Sequence, residues 1–202
     1  MKIILLVEGD TERFLPPFFK RWLDPQTPTR VSIKPQNFKG VGDYRARFAK
    51  TARLYLGTPE VAGVIGVIDY HNSGLNYPPG TLAERCLWAK QQFENQVNDS
   101  RFYQHFAVHE TEAWLLAQPG ILPQDIGGAF KNAHEPEKVN SNHPPGKRLN
   151  DLYQKHLGKK CRKPTEGSTL FSKLDPSVAY MKCPHLKLLL DDLLALAQSA
   201  VK

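Results

Sequence analysis

The chain reads as an α/β protein, a mostly parallel sheet sandwiched by helices and followed by an α-rich C-terminal extension. Three observations predict this. Ile3-Ile4-Leu5-Leu6-Val7 and the run from Val61 to Ile68 are short, apolar and rich in β-branched residues, as buried parallel strands are. Helical patterning alternates with these runs, which implies βαβ units with short right-handed connections. Beyond Gln118 the character changes: Pro119, Pro123, Gly127-Gly128, Pro136, Pro144-Pro145 and Gly146 interrupt the chain with little strand signal. We therefore read an α/β core over 1–118 and a basic, α-rich extension over 119–202, packed on the core as a single folding unit.

The elements follow in order. After the first strand Asp10 suits a helix cap, and Phe14, Leu15, Phe18, Phe19 and Trp22 mark the helix, with Pro16-Pro17 predicting a kink or a late start. Val31 to Phe38 reads as a strand that Pro35 confines to a sheet edge. Gly40-Val41-Gly42 reads as a turn into a helix from Asp43 to Leu56, buried through Phe48, Ala52 and Tyr55 and ended by Gly57-Thr58-Pro59. Asn72 to Gly80 is a polar loop, Thr81 to Val97 a helix, and Phe102 to Val108 a fourth strand. In the extension, Lys147 to His156 and Pro184 to Val201 read as helices. The last has an apolar face of Leu186, Leu189, Leu190, Leu193 and Leu196, with Asp191 and Asp192 in water. That face suits packing on the core or against a second copy, as in a homodimer.

Composition narrows the function classes. With 41% hydrophobic and 23% charged residues in 202, the chain resembles an ordinary soluble domain. No apolar run approaches the ~18–20 residues that span a bilayer, and the N-terminus lacks a signal-peptide pattern, so we expect no membrane partner. Cys86, Cys161 and Cys183 form no paired motif, which favours reduced thiols and a cytoplasmic location. The net charge of +7 is uneven: residues 131–173 hold ten Lys or Arg against four Asp or Glu, whereas residues 1–130 hold fourteen against thirteen. A basic patch confined to one segment suits a phosphate backbone, although a solvated connecting region accounts for it equally well.

Acidic motifs stand at three strand ends. Glu8-Gly9-Asp10-Thr11-Glu12 follows the first, Asp69-Tyr70-His71 the third, and His109-Glu110-Thr111-Glu112 the fourth. In open α/β sheets ligands gather at the carboxyl ends of strands. A carboxylate there needs a metal, a donor or water to offset desolvation. Glu8 and Asp69 are expected side by side, and Asp69 and His71, two apart on an extended segment, to point the same way. Hard oxygen ligands suit Mg²⁺ or Mn²⁺, whereas an imidazole is an unusual Mg²⁺ ligand. Each motif also has a bland account: a strand-to-helix turn for Glu8 and Glu12, a loop histidine for His71, and helix capping for Glu110 and Glu112. His105, among apolar neighbours, reads as a satisfied core histidine.

At these residues the chain resembles the Toprim superfamily, the metal-dependent domain of topoisomerases, primases and certain nucleases. That family places a Glu after its first strand, matched by Glu8, and an Asp-x-Asp after a later one. Asp69 matches the first Asp, and His71 stands where the second would be. The chain is more similar to the domain-of-unknown-function 4276 family, itself Toprim-like, through Val7-Glu8-Gly9-Asp10-Thr11-Glu12, Asp69-Tyr70, His109-Glu110-x-Glu112-Ala113, Lys147-Arg148-Leu149 and Cys183-Pro184-His185. The resemblance implies a Toprim-like sandwich, a nuclease effector in prokaryotic antiviral defence, and an ATPase partner of the ABC or structural-maintenance (SMC) type.

The combined expectation is a Mg²⁺- or Mn²⁺-dependent phosphodiesterase acting on DNA or RNA. Glu8 would act as general acid or base or as a bridging carboxylate, and Asp69 as principal metal ligand. Glu110 or Glu112 would help to hold the metal, and His71 would be an accessory ligand or phosphate contact. Lys147, Arg148, Lys159, Lys160, Arg162 and Lys163 would hold the backbone without reading sequence. The alternative is a non-catalytic subunit that binds nucleic acid or an ATPase through a degenerate site.

Overall fold

The computed structural model describes residues 1–9, 14–71, 73–108, 110–131, 134–138, 144–161 and 163–199, with backbone alone at 163 and 164. Their strands are β1 (Lys2–Val7), β2 (Ser32–Asn37), β3 (Val61–Asp69) and β4 (Phe102–Ala107), hydrogen-bonded in the order β2-β1-β3-β4. Every neighbouring pair is parallel. The α/β class read from the sequence is the one that forms. β1 and β3 are flanked on both sides, and all nine residues of β3 are buried, which is why their apolar runs are continuous.

Alternation along β1 sends Ile3, Leu5 and Val7 into one core and Ile4 and Leu6 into the other. Helices α2 (Val41–Leu56) and α3 (Leu82–Val97) cover the second face. They bury Tyr44, Phe48, Ala52 and Leu56 from one, and Cys86, Ala89, Phe93 and Val97 from the other, each set one stripe of a 3.6-residue helix. Tyr55, expected on this face, is only half-buried because its hydroxyl reaches out to Gln36 Oε1 at 2.8 Å. Thr81 and Glu84 form a capping box at the start of α3.

The first face is covered by α1 (Leu15–Leu23) and by the extension. Helix α1 starts late, with Pro16 and Pro17 in its first turn, where a missing amide proton costs nothing. Asp10, expected as its cap, lies outside the described residues. The extension contributes α4 (Glu112–Leu115), α5 (Gln124–Gly128), α6 (Pro145–Leu157), α7 (Ser168–Lys173), α8 (Pro176–Lys182) and α9 (Pro184–Ser199). α5, α7 and α8 escaped the sequence reading because five to seven residues are too few to display a period. Leu196 of α9 lies so close to β3 that a Cβ on Gly63 would stand 2.4 Å from its Cδ2. Among the described residues no helix is long and apolar enough to cross a membrane.

Both edges of the sheet are blunted against further pairing. In β2 the Ser32 and Phe38 amides donate to Met1 and Val7, so even-numbered amides face β1 and Pro35 falls on the open side. In β4 the amide of Phe102 donates to the Asp99 carbonyl and that of Gln104 to Glu94 Oε1, both at 3.0 Å. Lys90 bridges Glu94 and Asp192 at 3.1 Å each. Asp192 was expected in water; instead it also stands 3.0 Å from Nε2 of buried His105. Asp191 likewise accepts from the Tyr180 hydroxyl at 2.9 Å. Burial pulls His105 down to about 4 against the opposing pull of Asp192, so the imidazole is neutral near pH 7.

Candidate functional site

Because the strands are parallel, β1, β3 and β4 deliver their following residues to one side of the sheet. β1 and β3 are neighbours with Val7 opposite Val67, so Glu8, just past β1, and Asp69, the last residue of β3, occupy adjacent strand ends. By alternation Asp69 is in phase with Ile65 and Val67 of the first core, whereas Glu8, past the end of β1, stands near enough to Tyr44 of the second core for its charge to act on that phenol. Asp69 is buried, at 7% exposure, and Glu8 is half-buried with its Oε2 shut off from solvent.

The backbone around Glu8 is pinned by β2 and α2. The Phe38 amide donates to Val7 O at 3.0 Å and the Gly40 amide to Glu8 O at 2.7 Å. Gly40 adopts φ +88° at the start of α2, a conformation that disfavours any side chain. Beneath lies Tyr44, fully buried, whose hydroxyl donates to Gln104 Oε1 at 2.7 Å. Burial drives this phenol far above its usual range, and the charge of Glu8 adds to the shift. Gly66 makes room for the pair, since a Cβ there would stand 2.1 Å from Tyr44 Oη and 2.4 Å from Gln104 Oε1. Tyr44, Gln104 and Gly66 were missed because two buried partners 60 residues apart leave no local signal.

β3 stops at Asp69, and His71 falls in a turn, exposed, with its ring edge-on to Tyr70 at 5.4 Å. The extended geometry invoked for Asp69 and His71 therefore does not continue past the strand. The loop beyond is latched: Tyr77 stacks on Tyr70 at 4.5 Å, its hydroxyl contacts Ser73 Oγ at 2.7 Å, and Arg45 donates to Gly74 O at 2.5 Å.

Glu110 and Glu112 form a second station. The Gly146 amide, in the first turn of α6, donates to Glu110 Oε2 at 2.7 Å. Glu112 is buried and accepts from the Thr111 hydroxyl at 3.3 Å. Both line a cavity of about 220 Å³ with Lys147, Asn150 and Cys161. Behind it Glu137 is buried and accepts from Trp114 Nε1 at 3.2 Å and from the His185 and Leu186 amides at 2.8 and 3.1 Å. Burial pushes its carboxyl up to about 7 despite these three donors. Nothing in the local sequence marks Glu137 as the cap of a helix nearly 50 residues away.

The basic residues divide along α6. Lys147 stands at its acidic end, exposed. Arg148 lies over the Phe130 ring at 4.7 Å, and Lys159, past the far end, reaches Glu166 at 3.3 Å. Lys160 is exposed beside it. Asp10, Glu12, His109, Arg162 and the Lys163 side chain lie outside the described residues. Among the described residues no three His, Cys, Asp or Glu converge as a metal-holding group. The donor chemistry still fits Mg²⁺ or Mn²⁺, because such ions are commonly held by one or two carboxylates together with water and substrate phosphate.

Among solved structures the chain is similar to the C-terminal region of the Burkholderia pseudomallei OLD protein, with 18% identity, a TM-score of 0.49 and 98% of each chain covered. It is also similar to the C-terminal region of the Xanthomonas campestris pv. campestris OLD protein, with 16% identity, a TM-score of 0.46, and 98% of this chain and 96% of that one covered. Comparison with curated proteins finds no match. The sequence profile of the family described as Domain of unknown function (DUF4276) matches residues 7–194, and the chain belongs to that family.

Proposed function

We propose that this protein is a Mg²⁺- or Mn²⁺-dependent phosphodiesterase of nucleic acid, a cytoplasmic nuclease of the Toprim type. One observation carries the reading: parallel strands bring Glu8 and Asp69 to neighbouring ends and Glu110 and Glu112 to the same side of the sheet. Asp69 and Glu8 would hold a divalent ion together with water and substrate phosphate, with Glu110 or Glu112 drawn in on binding, and the ion would supply charge neutralisation at the phosphoryl group. Glu8 accepts a proton from the attacking water, in keeping with a carboxylate one oxygen of which is buried. Lys147, exposed at the rim of the Glu110 cavity, holds a backbone phosphate by charge alone, and Lys160 extends the contact. His71, exposed beside the strand end, contacts a phosphate. A role in antiviral defence with an ABC- or SMC-type ATPase partner follows from the Toprim resemblance, and a homodimer is compatible with it.

The test is cleavage of single- and double-stranded DNA and RNA with and without Mn²⁺, using the wild type, Glu8→Ala and Asp69→Ala. Cleavage should require the metal and vanish in both variants while their melting temperatures stay close to that of the wild type. Full activity in either variant overturns the assignment. Retained nucleic-acid binding without Mn²⁺ binding would instead identify a non-catalytic subunit.

A further inference from the structure

Two acidic side chains crowd against one glycine. A Cβ on Gly146 would stand 2.7 Å from Glu110 Oε2 and 3.4 Å from Glu112 Oε1, the first distance inside van der Waals contact. The amide of the same residue donates to that Glu110 oxygen at 2.7 Å, a length typical of a charge-assisted bond. Gly146 is not among the glycines with positive φ, so backbone conformation gives no reason for it. Alanine would also be the better helix former in the first turn of α6. What the missing side chain does provide is space for the carboxylates.

We propose that Gly146 is a positioning residue, whose bare Cα and amide seat the Glu110 carboxylate beside that of Glu112 so that the pair meets a divalent cation as one unit. The inference rests on the metal-dependent reading above and deepens it. Two converging carboxylates repel each other unless donors or cations stand by. The Gly146 amide and Lys147 line the same cavity, and a divalent ion there would add its own charge to theirs. A methyl group at 146 would meet the mobile end of a side chain, so the carboxylate is displaced and the fold is kept.

Two measurements test the seat separately from the metal. In the metal-free protein, Glu110→Ala should speed hydrogen exchange at the Gly146 amide; unchanged exchange overturns the seat. By Mn²⁺ calorimetry, Gly146→Ala should bind about 10–100-fold more weakly, the range for losing a ligand's supporting contact. Gly128→Ala, where a methyl meets open space, should bind as the wild type does. Glu110→Asp withdraws the carboxylate by one methylene, so adding Gly146→Ala to it should weaken binding little further, a non-additive pair. Wild-type affinity in Gly146→Ala, additive losses in the double variant, or failure of Gly146→Ala to fold would each overturn the proposal. A wild type that binds no Mn²⁺ while the Gly146 amide still responds to Glu110→Ala overturns the metal reading and upholds the seat.

Discussion

Glu8 and Asp69 reach their places by a different route from Glu110 and Glu112. The first pair rides on the ends of two central strands, and its spacing is set by the β1–β3 register, with Val7 opposite Val67. The second pair lies beyond the end of an edge strand, with Glu112 in a four-residue helix and Glu110 held by the amide of Gly146, 36 residues further along. Acids positioned by a sheet are as secure as its core. An acid held by a distant segment depends on whatever holds that segment, here the C-terminal extension.

The largest expected effect concerns the support of the second pair. Glu137 joins Trp114, on the helix that carries Glu112, to the first turn of α9. Its carboxyl is raised to about 7 in the folded chain from 4.5, so between those values the folded state keeps a proton that the unfolded state has lost. The contribution of Glu137 to stability is therefore full below pH ~4.5 and is lost as pH rises through ~7, an amount on the order of 3 kcal/mol, whereas buried His105, lowered to about 4 from 6.5, contributes with the opposite sign between those two values. Urea unfolding at a series of pH values should show the wild type losing stability relative to Glu137→Gln as pH rises from ~4.5 through ~7, with the His105 contribution common to both proteins. An unchanged slope would separate Glu137 from the linkage.

The first pair should be disturbed from beneath. Gly66→Ala drives a methyl into the Tyr44–Gln104 hydrogen bond under Glu8, and overpacking of this kind costs about 1–3 kcal/mol. The urea midpoint should fall accordingly, with hydrogen exchange at the Gly146 amide unaffected. Loss of protection there would show that the two acid pairs are not independent. The smallest effect belongs to Lys147→Ala, which should weaken nucleic-acid binding evenly across sequences. It should also lower the slope of log K against log salt by about one. A variant with the wild-type slope would remove Lys147 from the phosphate contacts.

The legible part of the molecule was the part built from local repetition. β1 to β4, α1 to α3 and α9 could be placed because strands buried on both faces read as apolar runs, and long helices repeat their stripe several times. Pro35 marked its strand as an edge because it cannot donate to a ladder. The short helices α5, α7 and α8 repeat nothing. Asp192 was misplaced in water for a related reason: the helical stripe of α9 says which side is polar, and says nothing of Lys90 and His105 arriving from α3 and β4.

The order of residues alone determined that Glu8, Asp69 and Glu110 stand at or just past the ends of strands, since a run of buried side chains must end where the chain turns polar. It also determined that basic charge collects in the extension. Only the tertiary structure decided which strands are neighbours, that Gly66 and Gly146 are spaces reserved for distant polar groups, and that Glu137 caps α9. Those outcomes depend on contacts between segments far apart in the chain. A hydrogen bond closing a long loop, unlike helical or strand periodicity, leaves no pattern in the residues beside it.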